Sequence, residues 1–326
     1  MATSTTTTWT SQILSEAIAS RAVPANLPKS VVLGLVNQDS IDGMPTKTKQ
    51  YSVLTDLGAA SAATEGTDIA ATQTMTMGTA VTVSPTEAAA VVAEVTNQAI
   101  RRRIPGIGSN AVQSLLQSAQ PGPIVDALED QASRLAAMCL ETAEKACVDL
   151  VAGFSNTVGT SGSDVTVSNL IEAIYTAKTL ETPHEDLVFC LAPNQVREIQ
   201  LELASTSNAS SSIWFQQADA SMSNANLGGE NGFRGSFLGV PVFEFSHSLA
   251  PSVNAGADTA GALMLRGRGS FDSGQVGALA FVEGAPLYFS ADFNLEGRSI
   301  KLGCVYEFAA TELSDNFGVS IITDAP

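Results

Sequence analysis

Between residues 57 and 72 the chain reads LGAASAATEGTDIAAT, flanked by two stretches of strand character, KTKQYSVLT and QTMTMGTAVTV. The flanks are rich in Thr, Val and Tyr and partly alternate, as half-buried strands do. The segment between them is small and polar, like a loop. Together they describe a long two-stranded ribbon whose tip has almost nothing bulky and apolar to bury. Such a ribbon is at best marginally stable alone in water. A chain that carries one must supply a surface for it, either on its own body or on a neighbour.

A second feature limits what that body can be. The run PGPIVDALEDQASRLAAMCLETAEKACVDLVAGF has helical period, with Ile124, Leu128, Leu135, Cys139, Ala146 and Leu150 forming one apolar stripe. Pro121, Gly122 and Pro123 punctuate its start, Asp126, Glu129 and Asp130 suit the positive end of a helix dipole, and Gly153 ends it. At 1.5 Å per residue this helix is about 45 Å long, well above the usual three turns or so. It can act as a structural spine.

The remaining segments sort around these two. Residues up to about Met44, with a Thr-rich opening and two prolines, Pro24 and Pro28, read as an arm that drapes over a surface. PTEAAAVVAEVTNQAI suits either a helix, by its alanines, or a strand, by its valines and the proline before them; we read it as strand. SNLIEAIYTAKTL and PNQVREIQLELAS are helices around a buried strand, DLVFCLA. FRGSFLG and VPVFEFSHS form a hairpin, and ALMLRGRGSF and VGALAFVEG continue this mixed unit. PLYFSADFNLEG and RSIKLGCVYEFAATEL are long strands joined by a turn from Asn294 to Gly297, and NFGVSIIT is a last strand.

Composition removes several function classes. With 326 residues, 44% of them hydrophobic, the chain can bury a substantial core. Lys and Arg number 16 against 33 Asp and Glu, for a net charge of −17 spread along the sequence. Tight binding to a phosphate backbone needs the opposite sign. No segment reaches the roughly 20 apolar residues of a membrane span, and the polar opening MATSTTTTWTSQ lacks a secretory signal pattern. Cys139, Cys147, Cys190 and Cys304 have no CxxC spacing and read as reduced core residues of a protein that folds in a cytoplasm.

The search for catalytic chemistry is mostly negative. His184, in a polar turn, and His247, at a strand end, are too few for a His-rich metal site, and no GxSxG, HExxH, P-loop or calcium-loop pattern occurs. GIGSNA, residues 106–111, fits the dinucleotide pattern, but its lead-in QAIRRRIP is not the buried strand the pattern requires. RGRG, residues 266–269, reads as a solvated loop. No catalytic residue, cofactor site or metal site is expected. The one basic cluster, Arg101, Arg102 and Arg103, can face carboxylates of another subunit, nucleic acid or solvent, and the net charge of −17 favours carboxylates over nucleic acid.

Four stretches, VTVSPTEAAAVVAEVTNQAI, ACVDLVAGF, GSFLGVPVFEFSHSL and NFGVSIITDA, occur in an order that resembles the major capsid proteins of tailed phages with the Hong Kong 97-type fold. The resemblance covers nearly the whole chain from about Leu33. It implies an α+β capsid fold with an N-terminal arm (1–46), an extended two-stranded loop (47–84) and a peripheral domain with the spine helix (85–155, helix about 122–153). A mixed α/β axial domain (156–284), return strands (285–312) and a C-terminal strand and tail (313–326) follow. It further implies self-assembly into pentamers and hexamers of an icosahedral head enclosing double-stranded DNA, which the acidic chain would hold only weakly, with a separate scaffolding protein, a portal and decoration proteins as partners. The location implied is the virion, after assembly in the host bacterial cytoplasm. A nanocompartment shell of the same fold is the alternative, and a nucleotide-binding enzyme built on GIGSNA the alternative from another class.

The resemblance gives the ribbon its partner. Leu57, Ala59, Ala60, Glu65, Asp68 and Ile69 at the tip are expected to contact the next subunit, by strand addition or by lying across its platform. No lysine lies between Gln50 and Glu144, so the tip cannot donate one to a covalent cross-link of the kind some family members form; Lys47 and Lys49 sit at the base, and the shell is expected to be non-covalent. Deleting residues 57–72 should leave a folded subunit that fails to assemble. Circular dichroism and electron microscopy of the deletion check this, and normal shells would refute it.

Overall fold

The computed structural model describes residues 30–45, 47–51, 80–96, 122–180, 186–205, 215–217, 232–267, 277–294 and 299–325. Their architecture is two large sheets that share one long helix, with a separate two-stranded sheet beside the first.

The first sheet has the order β1-β12-β13-β4, from β1 (Asn37–Ser40), β4 (Thr86–Thr96), β12 (Leu279–Asn294) and β13 (Ser299–Glu312). Alternation along β13 makes it two-faced. Ile300, Leu302, Cys304, Tyr306 and Phe308 are buried, whereas Lys301 is exposed. The buried row packs against helix α1 (Gly122–Val151). Phe281, Tyr306 and Phe308 add an aromatic cluster, with ring centroids 5.3–6.2 Å apart. The choice of strand for PTEAAAVVAEVT holds: β4 runs antiparallel to β13 from Thr96 opposite Ser299 to Thr86 opposite Phe308.

Helix α1 departs from the expected stripe. Its buried face is Ala132, Leu135, Ala136, Cys139, Ala143, Cys147, Val148 and Val151, with Ala146 and Leu150 only half-buried at its margin. Small residues dominate because the helix lies directly on a sheet, where a small side chain allows a closer approach. Ile124 and Leu128 lie in the first part of the helix, outside the residues whose side chains are described.

The second sheet has the order β5-β14-β11-β6-β9-β8-β7, with β10 (Ser252–Val253) also on β11. Its centre is β11 (Asp258–Leu265), β6 (Leu187–Leu191) and β14 (Gly318–Asp324), and β11 and β6 are buried along their whole length. Leu187, Phe189 and Leu191 face helices α2 (Val167–Thr179) and α3 (Pro193–Ser205), while Val188 and Cys190 face the core that contains α1. Such a strand is buried on both faces and reads as a continuous apolar run. The expected hairpin is β8 (Phe233–Phe237) and β9 (Val240–Glu244), closed by Leu238 and Gly239 at φ 51° and 84°. Two positive φ values in a two-residue loop match the twist of a hairpin. The outer strands are β5 (Thr157–Val158) and β7 (Phe215–Gln217).

One expectation is corrected. VGALAFVEG was assigned to the mixed unit, with a boundary at residue 284, but from Leu279 onward it is the first half of β12 in the four-stranded sheet, between β1 and β13. In the structure, register shifts between Glu283 and Ala285 and between Ala285 and Tyr288 absorb Gly284 and Pro286 as irregularities within one strand.

Gln195, fully buried at the start of α3, ties the second sheet together. Its carboxamide accepts from Ala192 N at 3.1 Å and donates to Ile321 O at 3.0 Å and Thr323 Oγ1 at 3.3 Å. Gly261 of β11 leaves room for it: a Cβ there would lie 2.8 Å from Cys190 O and closer still to Gln195 Oε1. Gly261→Ala is expected to destabilise the fold by about 2 kcal/mol, the usual scale of overpacking. Urea denaturation checks it, and an unchanged midpoint would refute the packing account.

Candidate functional site: the latched arm, the ribbon base and the crossing between sheets

Residues 30–37 pass between the two sheets, held by one side chain. Glu144 of α1 is 3% exposed. Its Oε1 accepts from Val31 N at 2.9 Å and Val32 N at 2.6 Å, and its Oε2 from Leu33 N at 3.0 Å and Ser30 Oγ at 2.7 Å. Three successive amides at the start of a 3-10 turn (Leu33–Leu35) thus converge on one carboxylate. Buried charge is tolerated when its lone pairs are filled in this way, and bonds to a charged acceptor are the strong ones. Beyond the latch, Val31 packs on Gly232, where a Cβ would approach its methyl groups to 2.8 and 2.9 Å, and Gly267 N donates to Leu35 O at 2.8 Å. β1 then adds parallel to the edge of β12, Asn37 opposite Ala280.

The base of the ribbon follows directly. β2 (Lys49–Tyr51) and β3 (Val81–Val83) pair antiparallel, Lys49 opposite Val83 and Tyr51 opposite Val81. Ile41, Tyr51, Val83, Ala280, Val282 and Leu313 form a separate apolar cluster beneath it. Lys49 Nζ lies 2.8 Å from Asp39 Oδ2, and the Tyr51 hydroxyl approaches the same carboxylate at 3.5 Å. Burial, then the charge of Asp39, pushes the Tyr51 phenol well above its ordinary range. Lys49 is therefore engaged in holding the ribbon to β1.

A crossing joins the sheets where α1 ends and β13 passes into β14. Phe154 fills the space over Gly318; Ser155 N donates to Asp315 Oδ1 at 2.7 Å, and Ser320 N donates to Asn156 O at 2.8 Å. Glu312 sits beside Asp315. Burial, then the charge of Asp315 and a hydrogen bond to it, pushes the Glu312 carboxyl up to about 7. Bonds from Ser155, side chain and backbone, hold Asp315 below its ordinary value. The pair is a proton-sharing contact at the joint between two sheets.

On the face of the first sheet away from α1, Val92 and Tyr288 are 69% and 40% exposed. Val92 and Ser290 flank Gly303, and Tyr288 is paired with Val305. Next to them lie Lys301 and a Ser299–Glu94 hydrogen bond. The result is an open apolar platform with a polar margin.

The expected contact residues Leu57, Ala59, Ala60, Glu65, Asp68 and Ile69, the cluster Arg101, Arg102 and Arg103, His184 and the GIGSNA segment all lie outside the described residues. His247 is exposed in a 3-10 turn (His247–Leu249). Among the described residues no three His, Cys, Asp or Glu side chains gather as a metal site, and no helix is long and apolar enough to cross a membrane. Glu144 was missed in the sequence, where ETAEKA looks like a solvated helix face. Its one signal is that it falls between Ala143 and Cys147, on the apolar side.

No protein-family model and no curated protein matches the sequence. The structure, however, superposes along almost its full length on solved shells. The capsid structure of the Helicobacter pylori bacteriophage KHP30 matches with a TM-score of 0.59 at 11% identity, covering 92% of each chain. The capsid of Ralstonia phage GP4 matches with 0.59 at 12% identity, again over 92% of each chain. The chain has the Hong Kong 97-type capsid fold. An encapsulin complex from Synechococcus elongatus PCC 7942, SrpI, shares this capsid fold, with a TM-score of 0.55 at 13% identity over 93% of this chain and 94% of that one.

Two outcomes follow from the site's geometry. Glu144→Gln replaces one acceptor oxygen with a donor that faces amide N–H groups, and is expected to cost about 2–4 kcal/mol and to expose the arm to protease near residue 30. Limited proteolysis with urea denaturation checks this; wild-type behaviour would refute the latch. Because the folded Glu312 carboxyl titrates above its ordinary 4.5, its contribution is fully present below about pH 4.5 and is lost as pH rises through about 7. Glu312→Gln should match the wild type at pH 4.5 and exceed it in urea midpoint at pH 8, and the reverse order would overturn the assignment.

Proposed function

We propose that this chain is the subunit of a closed protein shell, the major capsid protein of a tailed phage, and not an enzyme. The observation that carries the reading is the end-to-end correspondence with capsid chains, combined with a ribbon base rooted in the body while the tip carries small and polar residues. In this reading the tip residues Leu57, Ala59, Ala60, Glu65, Asp68 and Ile69 lie on a neighbouring copy, and the apolar platform around Val92, Tyr288 and Val305 gives such a segment ground to cover. Copies close into rings of five and six about symmetry axes, each interface on the order of 1,000 Å² or more. Arg101, Arg102 and Arg103 face carboxylates of an adjacent subunit in preference to DNA, because the chain carries a net charge of −17.

The functional division follows the arm, extended loop, peripheral and axial units described from the sequence, with β12 counted whole in the peripheral unit. A separate scaffolding protein, a portal and decoration proteins are the partners this reading adds, in a virion assembled in the bacterial cytoplasm. The likeness to an encapsulin supports a second reading, a nanocompartment shell, which differs in holding protein cargo in place of DNA.

Electron microscopy of the full chain expressed alone in bacteria, followed by a denaturing gel, tests the proposal. Closed or malformed shells, tubes, or rings of five or six are expected, with a single monomer band and no covalent ladder. A uniform monomer that stays monomeric on co-expression with a scaffolding protein would overturn it. Shells recovered with a stoichiometric enzyme and no DNA-packaging partners would favour the nanocompartment.

A further inference from the structure

We infer that Cys139 and Cys304 are a disulfide-forming pair, a modification site that staples the long helix to the centre of the platform sheet. Cys139 lies midway along α1 and Cys304 on β13, the strand flanked by both β12 and β4. Their sulfurs are 3.5 Å apart across 165 residues of sequence, and both residues are fully buried. No other two cysteine sulfurs come within hydrogen-bonding distance: Cys147 sits two turns further along α1 and Cys190 in the second sheet.

The surroundings favour closure. A disulfide requires the sulfurs to approach to about 2.0 Å, so each must move by less than about 1 Å. Ala136 and Ala143, one turn to either side of Cys139 on the same buried face, leave the helix free to settle toward the strand. One thiol also supports the other. The two sulfurs lie within hydrogen-bonding distance, so one thiol can donate to the other once that other has ionised, and thiolate is the form that attacks a disulfide. The remaining two cysteines lack such help, since burial pushes both thiols well up.

The reaction is an exchange with a small-molecule disulfide such as oxidised glutathione. When the helix–sheet contact opens locally and uncovers the pair, the thiolate of one of the two cysteines attacks one glutathione sulfur, releasing the first glutathione and forming a mixed disulfide. The sulfur of the other cysteine then attacks the protein sulfur of that mixed disulfide, forming the internal bond and releasing the second glutathione. Two S–H bonds are lost and one S–S bond forms, and the two electrons and two protons leave with the glutathione pair. In a reducing cytoplasm the pair stays a dithiol, and in oxidising surroundings it closes. The inference concerns the single chain and stands whether or not the chain builds shells.

The test is incubation of the native full-length protein with oxidised glutathione, blocking of free thiols, and peptide mapping. The expected result is one intramolecular Cys139–Cys304 link, faster migration on a non-reducing denaturing gel, and unfolding in fixed urea slowed about tenfold and restored by dithiothreitol. Cys304→Ser and Cys139→Ala should each lose the link and the slowing, while Cys147→Ser and Cys190→Ser keep both. Four blockable thiols after oxidation, a link between other cysteines or between chains, or a link that forms only in denaturant would overturn the assignment.

Discussion

The carboxylate of Glu144 is the contact on which the rest of this architecture depends. It fixes the start of the described chain, whose Val32, Leu33, Leu35 and Val36 are buried in the core, as a strap bound to the C-terminal third of the long helix. From that anchor the strap is directed past Gly232 and Gly267 and into register as β1 on the edge of β12. The ribbon base then stands on β1 through Asp39, Lys49 and Tyr51. A charge removed from water is favourable only when every lone pair is used, so this anchor is either fully formed or strongly unfavourable. That all-or-none character suits an element that must emerge at one defined place.

Around the strap, the two sheets are joined without a separate linker. Strand β6 faces α2 and α3 with one set of side chains and the α1 core with the other, so the helix lies under both sheets. The crossing at Phe154, Asp315 and Gly318 adds a polar joint next to an apolar one. Burial and a neighbouring carboxylate place the Glu312 proton near neutrality, which makes this joint the part of the framework most responsive to pH. The thiol pair between α1 and β13 makes the helix-to-strand contact responsive to redox state in the same physical sense: a covalent change at a buried point alters how firmly two elements are held.

Much of this was readable from residue pattern alone. The long helix, the buried strand LVFCL, the β8–β9 hairpin and the two long strands each follow from period and turn chemistry, because those signals are local. The readings that needed correction were those in which distant pairing outweighs local letters. VGALAFVEG and PLYFSADFNLEG read as parts of different units, yet one strand, β12, runs through both because β13 pairs on both sides of the irregularity. The apolar stripe of α1 is rotated from the one read by bulk, because contact with a sheet favours alanine and cysteine over larger side chains. Glu144 carried only one local sign, its place on the apolar side of the helix, and nothing that pointed to its partners, which lie more than a hundred residues earlier.

The sequence by itself determined the kinds of element and the order in which they occur, since these rest on composition and short-range periodicity. Only the tertiary structure decided which carboxylate anchors the arm, that Cys139 meets Cys304, that Glu312 shares its proton with Asp315, and that one helix serves two sheets. Each of these depends on groups far apart along the chain being brought within a few ångströms, and their energies change steeply over that distance through desolvation and hydrogen bonding.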